Sequence, residues 1–370
     1  MDILVIAGDI FDTTTPSNRA QSLYYKFLTR LGPTPCSHVV VIGGNHDSPS
    51  FLDAPASLLK ALNVHVVGSA PPDMEDEILD LFDDQGRPLA RICAVPYLRD
   101  RDIRRARVGE DADEKTQKFV RGIETHYEQM GQLAGADRVP EIPLIATGHL
   151  FAAGGKTVDG DGVRELYIGS LARVGANAFQ GAFDYVALGH LHSAQKVGGC
   201  EEIRYSGAPL PMGFGEAGGL KKMIQVDFDG AVPTIETVEI PCFQELISIK
   251  GEMGEILEKI EGLVSQNSRA WLEVEYTGEG LAADLRQQVE TAVADSAMEV
   301  RRIKNCRMVK KITQAPVDRL ETMDETDVFQ RLLEGAGIPD DEQSGLMVTY
   351  GEILKEMQEK DLRAQCRFYS

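Results

Sequence analysis

Polar side chains follow a glycine at four points of the sequence, each at the end of an apolar run. The glycines are Gly8, Gly44, Gly148 and Gly189. The polar residues that come after them are Asp9, Asp12, Asn45, His46, Asp47, His149, His190 and His192. Carboxylate, amide oxygen and imidazole form a mixed nitrogen and oxygen donor set, which suits Mn, Fe or Zn better than Ca or Mg alone. Two such ions about 3.5–4 Å apart serve phosphodiester hydrolysis. The pattern therefore predicts a two-metal site.

Each of these signals also has an ordinary structural explanation. A Gly-Asp turn after a strand is most often a left-handed turn with a hydrogen-bonding aspartate. Three consecutive polar side chains, as at 45–47, are harder to explain in this way, because after a buried strand they must be exposed or liganded. The combination of four such turns favours the metal site. Three other histidines lack these surroundings and are predicted to be structural or solvated: His38, His65 and His126.

The apolar runs before the turns predict the strands that position the site. The first run ends at Ala7 and the second covers 39–42, with an amphipathic helical stretch between them. Strand, helix and strand at this spacing form a βαβ unit, and hence a parallel sheet. Because ligands of open α/β sheets gather at the carboxyl ends of the strands, the turn residues should converge.

Further elements follow the same periodicity. Strands are predicted at 64–67, 92–95, 144–146 and 185–188, a hairpin around 84–86, and antiparallel strands over 195–239. Helices are predicted around 52–62 and over 114–133. The fold class is therefore α/β.

The chain of 370 residues is long enough for two or three domains, at about 100–200 residues each. Pro241 marks a boundary, after which alternating strands and helices predict a compact β-α-β-α-β domain that caps the first. The remainder is acid-rich and predicts two amphipathic helices around Pro339. We predict a catalytic domain at 1–240, a cap at 241–314 and a helical partner-binding segment at 315–370. The alternative for the last segment is that its helices pack on the cap.

Composition and charge limit the classes of protein. Hydrophobic residues make up 43% and charged residues 26%, which is globular, and the formal charge of −20 excludes a basic nucleic-acid-binding module. Six cysteines without a CxxC pair are predicted to be thiols in a reducing cytosol. No apolar run reaches about 18 residues. The sequence therefore predicts a soluble cytoplasmic protein without membrane association.

A local basic run could still meet phosphates along the face of the site. It consists of Arg99, Arg101, Arg104, Arg105 and Arg107. The alternative is a solvated helix face, since acidic residues are interleaved with the arginines: Asp100, Asp102, Glu110 and Asp111.

The four glycine turns resemble the signature of calcineurin-like metallophosphoesterases. Five longer segments, at 4–16, 43–51, 95–99, 205–211 and 226–229, resemble the SbcD family, the nuclease subunits of bacterial SbcCD complexes. The resemblance covers nearly the whole chain. It implies a β-sandwich flanked by helices, a small α+β capping domain and C-terminal helices.

The resemblance also implies roles for the turn residues. Asp9 would bridge two divalent ions, manganese in this family. Asn45, His149 and His190 would complete the shell of one ion, and His192 would bind the other. His46 would lie beside the scissile phosphate as proton donor or as transition-state stabiliser, with Asp47 orienting it. Asp12 is interpreted as a turn residue behind these ligands.

The SbcD resemblance further implies an activity and partners. The activity is 3′–5′ exonuclease action on double strands and endonuclease action on single strands and hairpins, in DNA repair, recombination and replication. The partner is SbcC, an ATPase with a long coiled coil, and two copies of the SbcD chain would lie in a heterotetramer. The cap would limit access to DNA ends.

One departure from the family keeps other functions open. The family begins with a strand that ends in Asp-x-His and supplies two ligands to the first metal, whereas this sequence starts on the second strand. Either the start is placed too late, or the protein is short and has an incomplete first metal site. The alternatives are therefore a stand-alone phosphodiesterase for a small substrate and a non-catalytic interaction protein.

Overall fold

The structure is a computed structural model that describes residues 1–103, 111–152, 155, 174–278, 284–305, 329–330, 333, 343 and 345–351. The chain divides into two units, Met1–Phe243 and Gln244–Ser370. Arg104, Arg105, Arg107 and most of the predicted C-terminal helices lie outside the described residues. The functional division at 240 and 314 stays a prediction.

A three-stranded parallel sheet opens the first unit, in the order β1-β2-β3. Its elements are β1 (Ile3–Ala7), α1 (Asn18–Leu31), β2 (His38–Ile42), α2 (Pro49–Asp53), α3 (Ala56–Lys60) and β3 (Val64–Val67). Ser17 caps α1 by accepting the N–H of Ala20. The single helix predicted around 52–62 is instead two short helices, because Pro55 lacks an N–H group and interrupts the hydrogen-bond ladder.

A six-stranded mixed sheet forms the second layer, in the order β4-β5-β6-β7-β9-β8. Its strands are β4 (Ile78–Phe82), β5 (Pro88–Cys93), β6 (Leu144–His149), β7 (Tyr185–Gly189), β8 (Gln195–Val197) and β9 (Cys200–Tyr205). The predicted hairpin joins β4 and β5, and β5, β6, β7 and β9 run parallel. Helices α4 (Asp100–Ile103) and α5 (Ala112–Gly135) lie between β5 and β6 in the chain.

The two sheets pack face to face through alternate residues of β2. Val40 and Ile42 are fully buried and pack with Ile92 of β5, whereas Val39 and Val41 face the side chains of α1. A hairpin of β10 (Lys222–Asp229) and β11 (Val232–Glu239) adds partly buried apolar residues to the inter-sheet core. On the outer face of the second sheet, α5 buries Tyr127. The predicted α/β sandwich flanked by helices is confirmed.

The second unit is a smaller parallel α/β layer with its own core. Its elements are β12 (Leu246–Gly251), α6 (Met253–Ser265), β13 (Trp271–Tyr276), α7 (Leu285–Val293) and β14 (Glu299–Asn305). The strands are ordered β12-β13-β14, and both helices cover one face of them through Ile256, Ile260 and Val289. Within the described part of the chain, no helix is both long and apolar enough to cross a bilayer.

Candidate metal centre

Four predicted ligands meet where strands of both sheets end. Asp9 follows β1, Asn45 follows β2, His149 ends β6 and His190 follows β7. Ligand atoms of Asp9, His149 and His190 all lie within 4.8 Å of one another. The Oδ1 atom of Asn45 lies 2.9 Å from Nε2 of His149 and 3.2 Å from Nδ1 of His190. The predicted convergence of these turns is therefore present.

The hydrogen bonds of His149 show that this cluster fits a cation. Its Nδ1–H donates to the carbonyl oxygen of Ala7 at 2.8 Å, which leaves the lone pair of a neutral ring on Nε2. That nitrogen faces Oδ1 of Asn45 at 2.9 Å and Oδ2 of Asp9 at 3.1 Å. Three electron-rich atoms thus face one another, and a divalent cation is the group that stabilises such a set.

Glycines precede the proposed ligands because main chains approach each other closely at this edge, both between the two sheets and within the first sheet. A Cβ atom at Gly189 would lie 1.7 Å from the carbonyl oxygen of Ala7, and one at Gly44 would lie 2.2 Å from the amide nitrogen of Asp9. Asp9 and His190 themselves have positive φ angles, 53° and 101°. Non-glycine residues adopt this region rarely, and such strain is concentrated at functional sites.

The electrostatics keep the site in the protonation state that binds a cation. Burial acts to raise the pKa of Asp9, but the neighbouring His149 and the N–H of His46 lower it to about 2. Burial, reinforced by the neighbouring His149, lowers the pKa of His190 to about 3. At neutral pH the carboxylate is charged and the imidazole of His190 is neutral, as metal coordination requires.

His46 and Asp47 lie at the same turn but do different things. The Nδ1–H of His46 donates to the carbonyl oxygen of Asp12 at 2.8 Å. The buried carboxylate of Asp47 accepts N–H groups of Ile10, Phe11 and Gly44 at 3.1, 3.0 and 2.8 Å. Asp12 contacts the ring and Asp47 holds the two turns together, so the expectation that Asp47 orients the imidazole stays a prediction.

Comparison with curated proteins identifies the family. The SbcD chain of nuclease SbcCD from Escherichia coli (strain K12) is 35% identical over 361 residues, which cover 96% of this chain and 88% of that protein. The chain belongs to the SbcD family. The Rhodobacter capsulatus protein of the same name is 33% identical, over 81% of this chain and 75% of its own. The protein of the same name from Bacillus subtilis (strain 168) is 30% identical, over 74% of this chain and 68% of its own.

Two domain families match the SbcD-family chain. Calcineurin-like phosphoesterase matches residues 1–194, and the Type 5 capsule protein repressor C-terminal domain matches 242–336. A solved β-glucosidase from Exiguobacterium marinum aligns with a TM-score of 0.17 and 10% identity over 82% of this chain and 73% of that one, which is too low to inform the fold. The predictions of an SbcD-type nuclease, a phosphodiester hydrolase and divalent-metal binding are confirmed by the family.

His192 and two of the predicted arginines have contacts of their own. The ring Nδ1 of His192 is 4.0 Å from Oε2 of Glu216. Arg99 has a buried Nη1 atom without a hydrogen-bond partner among the described residues, and its Cζ lies 5.8 Å from the ring centroid of Tyr97. Arg101 pairs with Asp102 at 3.6 Å and is 77% exposed.

Sequence reasoning missed one aromatic neighbour of the SbcD-family site. The ring of Tyr97 stands edge-on to that of His149, with centroids 6.2 Å apart. The main-chain N–H of Tyr97 donates to the carbonyl oxygen of Gly43 at 2.8 Å. The available signal was the segment at 95–99, which resembles the family but carries no metal-ligating side chain.

The remaining histidines have structural partners, as predicted. Nδ1 of His38 lies 3.3 Å from Nε2 of His65, and its Nε2–H donates to the carbonyl oxygen of Phe82 at 2.8 Å, which links the two sheets. Nε2 of His126 lies 2.8 Å from the carboxylate of the fully buried Glu77.

Proposed function

We propose that this chain hydrolyses DNA phosphodiester bonds with two bound divalent ions, Mn²⁺ by preference. The observation that carries the proposal is the arrangement of three acceptor atoms, from Asp9, Asn45 and His149, around one point between the sheets. When bound, the ions supply Lewis-acid activation of the phosphoryl group and of water. Family membership supports the nuclease assignment, because the curated relatives are named nucleases.

The ligand roles are part of this proposal. Asp9 would hold both ions; its Oδ2 faces His149, and its Oδ1 accepts the N–H of His46. Asn45, His149 and His190 complete one shell. His192 contributes to the other shell from the same turn as His190.

His46 is proposed as the residue that gives a proton to the leaving oxygen. Its Nδ1–H is held by the carbonyl oxygen of Asp12, so Nε2 is the nitrogen that exchanges a proton with the substrate. Asp47 acts indirectly, because its carboxylate fixes the backbone on which both Asp9 and His46 lie. Positioned proton transfer of this kind contributes about 10²–10⁴-fold to rates.

Arg99 remains a proposed DNA contact of the basic run. Its Nη1 atom is buried and has no hydrogen-bond partner among the described residues, so a phosphate would have to be met by the other nitrogens of the guanidinium group. Arg101 fits the solvated alternative, since it is exposed and paired with Asp102. Arg104 and Arg105 remain proposed DNA contacts outside the described residues. The charge of −20 means that the remaining affinity for DNA comes from the ions and a partner.

The proposed partners are an SbcC-like coiled-coil ATPase and a second copy of this chain, in the cytoplasm. The curated relatives are named as parts of an SbcCD nuclease. The 315–370 segment is proposed to bind the ATPase, and the cap to select DNA ends and hairpins. Deleting 317–370 should abolish co-purification with the ATPase, and unchanged co-purification would contradict that role.

The second copy is argued from two exposed apolar pairs. Leu23 and Phe27 on α1, and Leu58 on α3 with Leu62 just after it, are exposed. The other sides of both helices pack into one core on the same face of the first sheet. The apolar residues therefore lie on outward-facing sides, where a symmetric copy could cover them.

A cleavage assay on the chain tests the main proposal. We expect Mn²⁺-dependent cleavage of a DNA hairpin by the chain, and its loss in EDTA. Asn45→Ala should abolish cleavage by removing a ligand, and His46→Ala should lower the rate by about 100-fold or more without changing Mn²⁺ binding. Val139→Ala, an exposed position in the same unit, is the matched control.

The same assay separates the alternatives. Hydrolysis of a cyclic nucleotide without hairpin cleavage would support the stand-alone phosphodiesterase. Mn²⁺ binding without hydrolysis of either substrate, with and without the ATPase, would support a non-catalytic interaction protein. Either result would overturn the proposed nuclease activity.

A further inference from the structure

A buried ion pair lies in the segment between β9 and β10. The Nζ atom of Lys221 is 2.5 Å from Oε1 of Glu216, and their side chains are 11% and 5% exposed. Oε2 of Glu216 also accepts the N–H of Met212 at 2.7 Å. Burying two charges gains little stability by itself, because both lose their hydration. The pair is therefore best understood through what else it holds.

Both members of the pair approach His192, which lies far from them in the sequence. Lys221 Nζ donates to the carbonyl oxygen of His192 at 2.9 Å, and the N–H of Ala208 donates to the same oxygen at 3.0 Å. Oε2 of Glu216 lies 4.0 Å from Nδ1 of the His192 ring. The main chain and the ring of His192 are thus both approached by one buried pair.

We infer that Glu216 and Lys221 are a positioning pair that fixes His192 for metal binding. This inference rests on the proposed function, in which His192 is a ligand. His192 follows His190, whose φ of 101° places the backbone in a strained region, so the turn needs external restraint. Lys221 restrains the carbonyl group, and the negative charge of Glu216 favours the ring orientation that turns Nδ1 towards it. The alternative is that the pair only holds its own segment together.

The Mn²⁺ affinity of the full chain distinguishes positioning of His192 from a purely structural role of the pair. We would measure the affinity by isothermal titration calorimetry and the stability by thermal unfolding in EDTA. Lys221→Met should weaken the affinity of the site that includes His192 by about 10–100-fold, the usual effect of losing a residue that orients a ligand. Lys196→Met removes the exposed ion pair between Lys196 and Glu201 and is the matched control. Its Mn²⁺ affinity should equal that of the wild type.

A double variant separates positioning from stability. Lys221→Met alone leaves the charge of Glu216 buried, whereas Glu216→Gln with Lys221→Met removes both charges, so the double variant should recover the metal-free melting temperature. Its Mn²⁺ affinity should stay about tenfold or more below that of the wild type, because the bond to the His192 carbonyl group is absent. Recovery of wild-type affinity would overturn the inference.

The outcomes keep the inference distinct from the proposed function. If the wild-type chain bound no Mn²⁺, the proposed metal function itself would fail. If the wild type and the Lys221→Met variant bound Mn²⁺ equally, only the positioning role would fail. If Lys221→Met did not fold, the Mn²⁺ affinities of Glu216→Gln and of the double variant, compared with that of the wild type, would decide whether the pair has a positioning role.

Discussion

The Nδ1–H group of His149 donates to the carbonyl oxygen of Ala7, a residue 142 positions earlier on the other sheet of the sandwich. This bond fixes the tautomer of His149 and aims Nε2 at Asn45 and Asp9. The site is therefore arranged for a cation before any cation binds. A ring held in this way needs no change of tautomer to accept an ion.

Addition of Mn²⁺ should stabilise the chain. A ligand that binds only the folded state at 100 times its Kd adds about 2.7 kcal/mol to the free energy of unfolding. We expect the melting temperature to rise with Mn²⁺ concentration and to return to its starting value in EDTA. Asn45→Ala should remove the increase. A rise of equal size in that variant would place the binding elsewhere.

Gly189→Ala should damage both stability and metal binding. The added methyl group would lie 1.7 Å from the Ala7 carbonyl oxygen, so the backbone must shift. Overpacking of this kind lowers the free energy of unfolding by about 1–3 kcal/mol or more. Gly135→Ala is the control, because nothing lies within 4 Å of its added methyl group. Urea unfolding of both variants would measure the difference, and equal stabilities would refute the close approach.

Asp47 and Asp12 should separate stability from catalysis. Asp47→Ala leaves three N–H groups without their acceptor, and each unsatisfied buried group costs about 1–3 kcal/mol. Asp12 is 71% exposed in its side chain, so Asp12→Gly should change the stability little. Glycine gives greater conformational freedom to the main chain whose carbonyl oxygen holds the His46 ring, so that variant should instead lower kcat. Urea unfolding midpoints and kcat values measure the two effects. If both variants lost stability and kept their kcat, the assignment of Asp12 to catalysis would be contradicted.

Acid should destabilise the first sheet through His65. Burial, with the neighbouring His38 and Lys60, lowers the pKa of His65 from 6.5 to about 4. The unfolded chain therefore binds more protons between these values, so stability is complete above pH 6.5 and is lost as the pH falls towards 4. Urea midpoints measured across this range should show the slope, and His65→Gln should reduce it. An unchanged slope in the variant would assign the effect to other groups.

Phe27→Asp should disrupt self-association. A charge on the exposed apolar side of α1 would oppose the burial of Leu23 and Phe27 against a second copy. Light scattering should show a dimer for the wild type and a monomer for the variant. Val139→Asp, also at an exposed apolar position of this unit, should stay dimeric. A monomeric wild type would contradict the proposed homodimer.

The sequence predicted the four strand ends and the convergence of Asp9, Asn45, His149 and His190, because apolar runs and glycine turns are local signals. It could not assign the hydrogen bonds of the site that involve the main chain. The carbonyl group of Ala7 and the amides bound by Asp47 carry no side-chain signature, so these bonds were not predicted.

Long-range pairing explains most of the other differences. Glu216 lies in a turn rich in glycine and proline, and only the folded chain brings it beside His192. Tyr97 likewise reaches His149 through the packing of β5 against β6. The interruption at Pro55, in contrast, was present in the sequence, because proline in the middle of a helical pattern interrupts it.

The proposed ligands come from both layers of the sandwich: Asp9 and Asn45 follow strands of the first sheet, and His149 and His190 belong to the second. A bound ion is therefore a crosslink between layers. Sliding one sheet along the other would separate the carboxylate and amide from the two imidazoles. Metal affinity and the alignment of the two sheets are thus linked, so any event that shears the sandwich will release metal, and metal will resist that shear.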